Sequence, residues 1–240
     1  MSTLSIHQTR RWIKQSEHPV ARKLLHIVKA LRAFEISLPR PICHLLYNGY
    51  RTLRTAVSEL MRVFWWTPLF KGRLTANGKR LNLYGGLPYI SGPLQISLGD
   101  DCRISGQTTF TGRTVGSESP RLIVGHNVDI SWMTTIAVGR QVRIGDNVRI
   151  AGRAFLAGYP GHPLNAEERA AGLPEADEQV GDIILENDVW LATGVSVMAG
   201  VRIGRGTIVA AGSVVTRDLP AFVLAGGIPA KVIHPLDGGE

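Results

Sequence analysis

From Leu185 onward an aliphatic side chain returns at every sixth position: Leu185, Leu191, Val197, Ile203, Val209 and Val215. Small or β-branched residues follow four places later, at Val189, Val195, Val201, Thr207 and Ser213. Glycine holds a further place in the same frame, at Gly194, Gly200, Gly206 and Gly212. A hexapeptide period of this kind marks a parallel β-helix. Strand alternation supplies the reason: Val189 and Leu191 point to one side, and Trp190 between them points to the other. Each hexad therefore predicts a short strand with two inward side chains and a turn of small residues. Three hexads close one triangular coil, and stacked coils bury the aliphatic ladder while pairing backbone groups along the stack.

The same beat appears earlier with interruptions. Leu98, Ile104 and Phe110 form one run, and Val124, Ile130 and Ile136 a second. Val138, Ile144, Ile150 and Leu156 form a third, shifted by two residues. The pattern gives about fourteen hexads, or roughly five coils. Residues 113–121 (RTVGSESPR) and about 158–182 break it and are predicted as loops. The second exceeds the roughly 12–15 residues beyond which a structureless loop in a compact domain is usually functional or disordered. The chain thus reads as mainly β, with the β-helix over 81–240.

Residues 1–80 follow a helical period instead. Leu24, Ile27, Val28, Leu31 and Phe34 form one apolar stripe, with Arg22, Lys23, Lys29 and Arg32 largely off it. After Pro39 and Pro41, a second stripe runs through Ile42, Leu45, Leu46, Leu53, Val57, Leu60, Met61 and Phe64 to Trp65 and Trp66. Arg51, Arg54, Glu59 and Arg62 interrupt it, so it lacks the uncharged run of a transmembrane helix. The first 20 residues lack the apolar core and cleavage site of a signal peptide.

Charge separates the two segments further. Residues 1–80 hold 15 Lys and Arg against 3 Asp and Glu, whereas residues 81–240 hold 12 against 16. A basic, amphipathic segment with tryptophans fits the surface of an anionic membrane. The alternative is a helical pair packed on the β-helix or on another subunit. No nucleic-acid-binding motif accompanies the charge, so nucleic acid is not expected as a partner. Two cysteines in different regions, Cys43 and Cys102, suggest no disulfide framework and a reducing, cytoplasmic setting.

A β-helix is a scaffold, so chemistry is sought where its pattern breaks. His162, in GYPGHPLNAEE at the start of the long loop, is placed for acid–base work, although an isolated loop histidine is also an ordinary surface residue. Trp190 occupies an outward position, where a large aromatic needs a cover: a ligand or another subunit. In the C-terminal stretch, small outward residues leave backbone N–H groups accessible, and Arg217 and Lys231 suit phosphates.

Together these pieces resemble the hexapeptide-repeat acyltransferases, especially the galactoside and maltose O-acetyltransferase branch and its polysaccharide-modifying relatives. The resemblance covers about 96–233. It is carried by HPLNAEERAAG from His162, then ENDVWLATGVSVMAGVRIGRGTIVAAGSVVTRDLP, then AGGIPAKVI. It implies a left-handed β-helix, a homotrimer, and acetyl-CoA in the groove between adjacent prisms, with no metal. It places the catalytic base at His162 and Trp190 against the acetyl or pantetheine end of CoA. Thr193 and Ala211 would border the CoA arm, and Thr216, Arg217 and Lys231 would lie toward the nucleotide. The sugar acetyltransferases carry an acceptor-holding asparagine where this chain has Ser131, and a glycine where it has Ala192.

The implied reaction is direct transfer of an acetyl group to a sugar hydroxyl of a surface polysaccharide or lipid-linked glycan, peripheral to the inner face of the cell membrane. His162 would take the hydroxyl proton, and Glu175, Asp177 and Glu178 are candidates to orient it. Two rivals share the fold. A γ-carbonic-anhydrase-like metal enzyme needs clustered histidines, but His126 and His162 fall out of phase. A non-catalytic scaffold predicts neither a base at the loop junction nor an exposed tryptophan.

Overall fold

The computed structural model describes residues 6–237; the first five and last three positions of the two predicted segments lie outside the described residues. The chain divides into two compact units, Met1–Leu53 and Arg54–Glu240.

The first unit holds helix α1 (Ile6–Gln15), α2 (Pro19–Ala33) and most of α3 (Arg40–Met61). The α2 start is set by its sequence. Pro19 fits the first turn, where a backbone N–H has no helical partner, and the His18 ring accepts from the Val20 N–H at 3.3 Å. On α2 the apolar stripe Val20, Leu24, Ile27 and Leu31 is exposed, and on α3 no residue is buried.

In the second unit, α3 runs into a π-helical turn (Arg62–Trp66) and then α4 (Thr67–Lys71). A π turn inserts a residue and rotates the side chains of the next turn about the helix axis. Phe64 and Trp65 are exposed, whereas Trp66 packs on the core and Phe70 enters it, its ring 6.5 Å from that of Phe110.

The strands, numbered in chain order, form three parallel faces. The first face stacks β1 (Ala76–Asn77), β4 (Gln95–Leu98), β7 (Arg121–Val124), β10 (Gln141–Ile144), β13 (Ile183–Leu185) and β16 (Arg202–Ile203). The second stacks β2 (Asn82–Tyr84), β5 (Arg103–Ser105), β8 (Asp129–Ile130), β11 (Arg149–Ile150), β14 (Trp190–Leu191) and β17 (Ile208–Val209). The third stacks β3 (Tyr89–Ser91), β6 (Thr109–Gly112), β9 (Thr135–Val138), β12 (Phe155–Ala157), β15 (Ser196–Met198) and β18 (Val214–Val215). An antiparallel hairpin, β19 (Val223–Gly227) and β20 (Ala230–Pro235), extends the second face and ends the stack.

The coils number six rather than the roughly five that the hexads predict. The additional coil is the first, β1 to β3. Its β1 is exposed and carries no aliphatic lead, and Trp66 and Phe70 from the preceding helical stretch, with Leu74 just after it, supply core instead. In the other coils the leads are inward as expected. Ile104, Ile130, Ile150, Leu191 and Val209 stand in register on the second face and are essentially inaccessible. Burying each contributes about 1.5–3 kcal/mol.

From the second coil on, every departure from the six-residue spacing falls at one corner, between the third and first faces. Phe110 to Val124 encloses the 113–121 loop, and Leu156 to Leu185 encloses the long one. Ile136 to Ile144 holds two extra residues, which produces the two-residue shift of the third run. The corner between the first and second faces is regular and polar. There His126 N–H donates to Asp146 Oδ1 at 2.7 Å, and Asp146 N–H to Asn187 Oδ1 at 2.9 Å.

Candidate active site

Both pattern-breaking loops leave the prism at the same corner, and they meet there. Arg113, the first residue after β6, is buried. Its Nε donates to Glu175 Oε1, its Nη1 to Asp177 Oδ1 at 2.6 Å and its Nη2 to the Glu175 backbone oxygen at 3.2 Å. Burial works against the charged guanidinium, but hydrogen bonds to Asp177 and Glu175 outweigh it and hold its pKa above the ordinary arginine value. Within the loop, α5 (Ala166–Ala170) is capped by Asn165, whose side chain accepts from the Glu167 and Glu168 N–H groups. Arg169 Nη1 ties that turn to the Pro163 and Leu164 oxygens at 2.8 and 2.9 Å.

His162 is exposed on this loop and lines a groove of about 360 Å³ with Arg113, Tyr159, Arg169, Leu173 and Glu175. Its backbone oxygen accepts from Gln179 Nε2 at 3.5 Å. Among the described residues its ring makes no hydrogen bond. Of the carboxylates considered as its orienting partner, Glu175 and Asp177 are taken by Arg113, and Glu178 is exposed. Arg113 was missed in the sequence. Its signal was an acidic cluster, Glu175 to Glu178, which needed a cation from elsewhere to enter the fold.

Trp190 projects from β14 on the second face, 49% exposed, in register between Arg149 and Ile208. Half-buried Ser131 and exposed Thr193 and Ala211 occupy the turns that follow β8, β14 and β17. They share the corner between the second and third faces, where the Gly212 N–H donates to the Thr193 oxygen at 2.9 Å. Thr216 and Arg217, both exposed, follow β18 at the corner from which the His162 loop departs. Lys231 lies on β20, opposite Gly226. One chain therefore gathers Ser131, Thr193 and Ala211 on one edge, with Trp190 on the adjoining second face. It gathers His162, Thr216 and Arg217 on another, with the third face between them.

His126 lies at neither edge. It sits in the polar corner, and its Nδ1 accepts the Asp100 N–H at 2.9 Å. Among the described residues no three His, Cys, Asp or Glu side chains converge to hold a metal ion. Cys102 is buried, its thiol donating to the Gly125 oxygen at 3.2 Å, and burial pushes its pKa up. A thiol held protonated is a poor nucleophile and a poor acyl carrier.

The fold is a left-handed parallel β-helix built on hexapeptides, decorated at one corner and preceded by helices. Residues 182–217 match the family model described as bacterial transferase hexapeptide (six repeats), and the chain is similar to the hexapeptide-repeat acyltransferases. The galactoside O-acetyltransferase of Escherichia coli (strain K12) is 36% identical over 114 residues, covering 48% of this chain and 54% of that enzyme. The chain spans about half the length of the curated relatives it matches. Among solved structures, AntD, an N-acyltransferase from Bacillus cereus in complex with dTDP and 3-hydroxybutyryl-CoA, shares the fold. Its TM-score is 0.57 at 19% identity, covering 71% of this chain and 88% of that one.

Proposed function

We propose that this protein is an acetyl-CoA-dependent O-acetyltransferase acting as a homotrimer on a sugar hydroxyl of a surface polysaccharide or lipid-linked glycan. The observation that carries the reading is the division of the candidate residues between two edges of one prism. Packed side by side, prisms present the His162 edge of one copy to the Thr193 edge of the next, beside Trp190, and a thioester between them touches both. The likeness to the galactoside O-acetyltransferase supports a sugar as the acceptor.

The chemistry is set by the groups present. A sugar hydroxyl is a poor nucleophile at neutral pH. The His162 imidazole removes its proton as the oxygen attacks the thioester carbonyl, and CoA thiolate leaves. Backbone N–H groups of the turn at Thr193 are donors suited to the tetrahedral oxyanion. The test is thioester loss from acetyl-CoA with and without sugar acceptors, beside the solution mass. No acceptor-dependent loss, or a monomeric active species, overturns the reading.

Trp190→Ala is expected to raise KM for acetyl-CoA about fivefold, the effect of removing one aromatic contact worth about 1 kcal/mol. Steady-state kinetics beside the solution mass check this. An unchanged KM with a lost trimer assigns Trp190 to subunit packing instead.

The basic N-terminal segment supports residence on an anionic membrane, which would bring the site to lipid-linked acceptors on the cytoplasmic side. Leu45, Leu46, Tyr50, Leu53 and Val57 lie exposed along α3, on a segment carrying a large excess of positive charge. No described helix is long and apolar enough to cross a membrane. Each basic group near an anionic surface adds about 1 kcal/mol, and the apolar stripe adds burial. The full-length protein is expected to float with anionic liposomes at low salt and much less at high salt, while Leu46→Glu with Leu53→Glu stays behind. Failure of the unaltered protein to float makes the segment a packing element.

A further inference from the structure

We infer that Arg113 is the positioning residue of the loop carrying His162, holding its returning limb against the prism through Glu175 and Asp177. The inference rests on His162 as the base, but its physical core does not.

Both limbs of the excursion are fastened to the end of β6. On the outgoing limb, Tyr159 Oη donates to Thr111 Oγ1 at 3.3 Å. On the returning limb, Arg113 takes two side-chain carboxylates and one backbone oxygen from residues 175–177. Gln179 then links that limb to the His162 backbone oxygen, and Arg140 Nη2 holds the Val180 oxygen at 2.6 Å. His162 lies between two anchored points, beside a groove that Arg113 itself lines.

The clamp is made in the costliest way for stability. The side chains of Arg113 and Glu175 are 6% and 5% exposed. A buried ion pair gains little over a well-packed apolar pair of the same size. What it adds is direction, because a planar guanidinium with forked donors accepts partners at fixed angles, as neither an ammonium nor a methyl group does. The end of the loop is also held by Arg140 and by the Gly181 N–H on the Gly158 oxygen at 3.0 Å, but the fastening of residues 175–177 is that of Arg113. A base displaced by about 1 Å loses on the order of a hundredfold in rate, so an angular fastening suits a loop that holds one.

The test separates position from stability. Arg113→Met combined with Glu175→Leu removes both buried charges and fills the space. Its unfolding midpoint is expected near that of the unaltered protein. Amide exchange over 159–180 should accelerate about tenfold or more while 183–215 keeps its protection, since opening is local. Turnover should fall on the order of a hundredfold with KM for acetyl-CoA nearly unchanged. Arg113→Lys, which keeps the charge but not the fork, should fall between, and it carries the same measurements if the double variant does not fold. Unchanged loop exchange overturns the clamp. Accelerated exchange with unchanged turnover overturns positioning. Failure of the base assignment reads differently, because His162→Ala would then retain activity whatever the loop exchange shows.

Discussion

Replacing His162 with alanine is expected to lower turnover by about 10²–10⁴-fold, the usual contribution of a positioned general base. The affinity for acetyl-CoA should stay near that of the unaltered protein. The expectation rests on where the ring stands. It is exposed at the mouth of a groove, on a loop fastened at both limbs, and the described residues leave both ring nitrogens open to a hydroxyl. The stack beneath does not depend on it, so the variant should fold. Calorimetric titration with CoA beside steady-state rates separates the two quantities. Near-normal turnover would remove His162 from the mechanism and leave the histidine an ordinary surface residue.

Gly99→Val should lower stability by about 3 kcal/mol or more, because it forces backbone apart in a packed stack. Gly99 turns the chain from the first face to the second. A side chain there would place its Cβ 2.5 Å from the Gly125 oxygen and 2.6 Å from the Gly125 carbonyl carbon. Those are backbone atoms of the next coil, which cannot swing aside as a side chain can. Every coil beyond must shift or separate. Gly49 gives the contrast. It lies within α3 with nothing within 4 Å of a built Cβ, so alanine there should stabilise the helix by up to about 1 kcal/mol. Denaturant unfolding of both variants checks the opposite signs. Equal midpoints would mean that the coils do not pack as closely as described.

The sequence made the architecture readable where burial is periodic. Two inward residues per hexad leave no other way to hide Leu191, Val197 and Ile203, so strand, corner and face follow from position number. The same arithmetic places Thr193 and Ala211 on one edge, since both sit in the turn after a second-face strand. Elsewhere the rule had nothing to act on. The first coil escaped because part of its core comes from a helix: Phe70 and Trp66 stand where aliphatic leads would otherwise be needed. Arg113 escaped because its partners lie 62 and 64 residues away, across a stretch without periodicity. Pairing at that distance is fixed by three-dimensional closure, which no local pattern records.

The long excursion between the third and first faces bears on how such a chain can change over generations. Most neighbouring rungs join residues about 20 apart, as His126 and Asp146 are; across the excursion the separation is 41, between Asp146 and Asn187. Loop entropy grows only logarithmically, so this doubling costs about 0.6 kcal/mol. Insertions and deletions between Gly158 and Pro174, which spare the Arg113 partners, are therefore nearly neutral for the prism, while on the proposed reading they reshape the ground on which an acceptor would rest. On the proposed reading, acceptor recognition is free to drift at one seam of the molecule while the rest stays under strict steric selection.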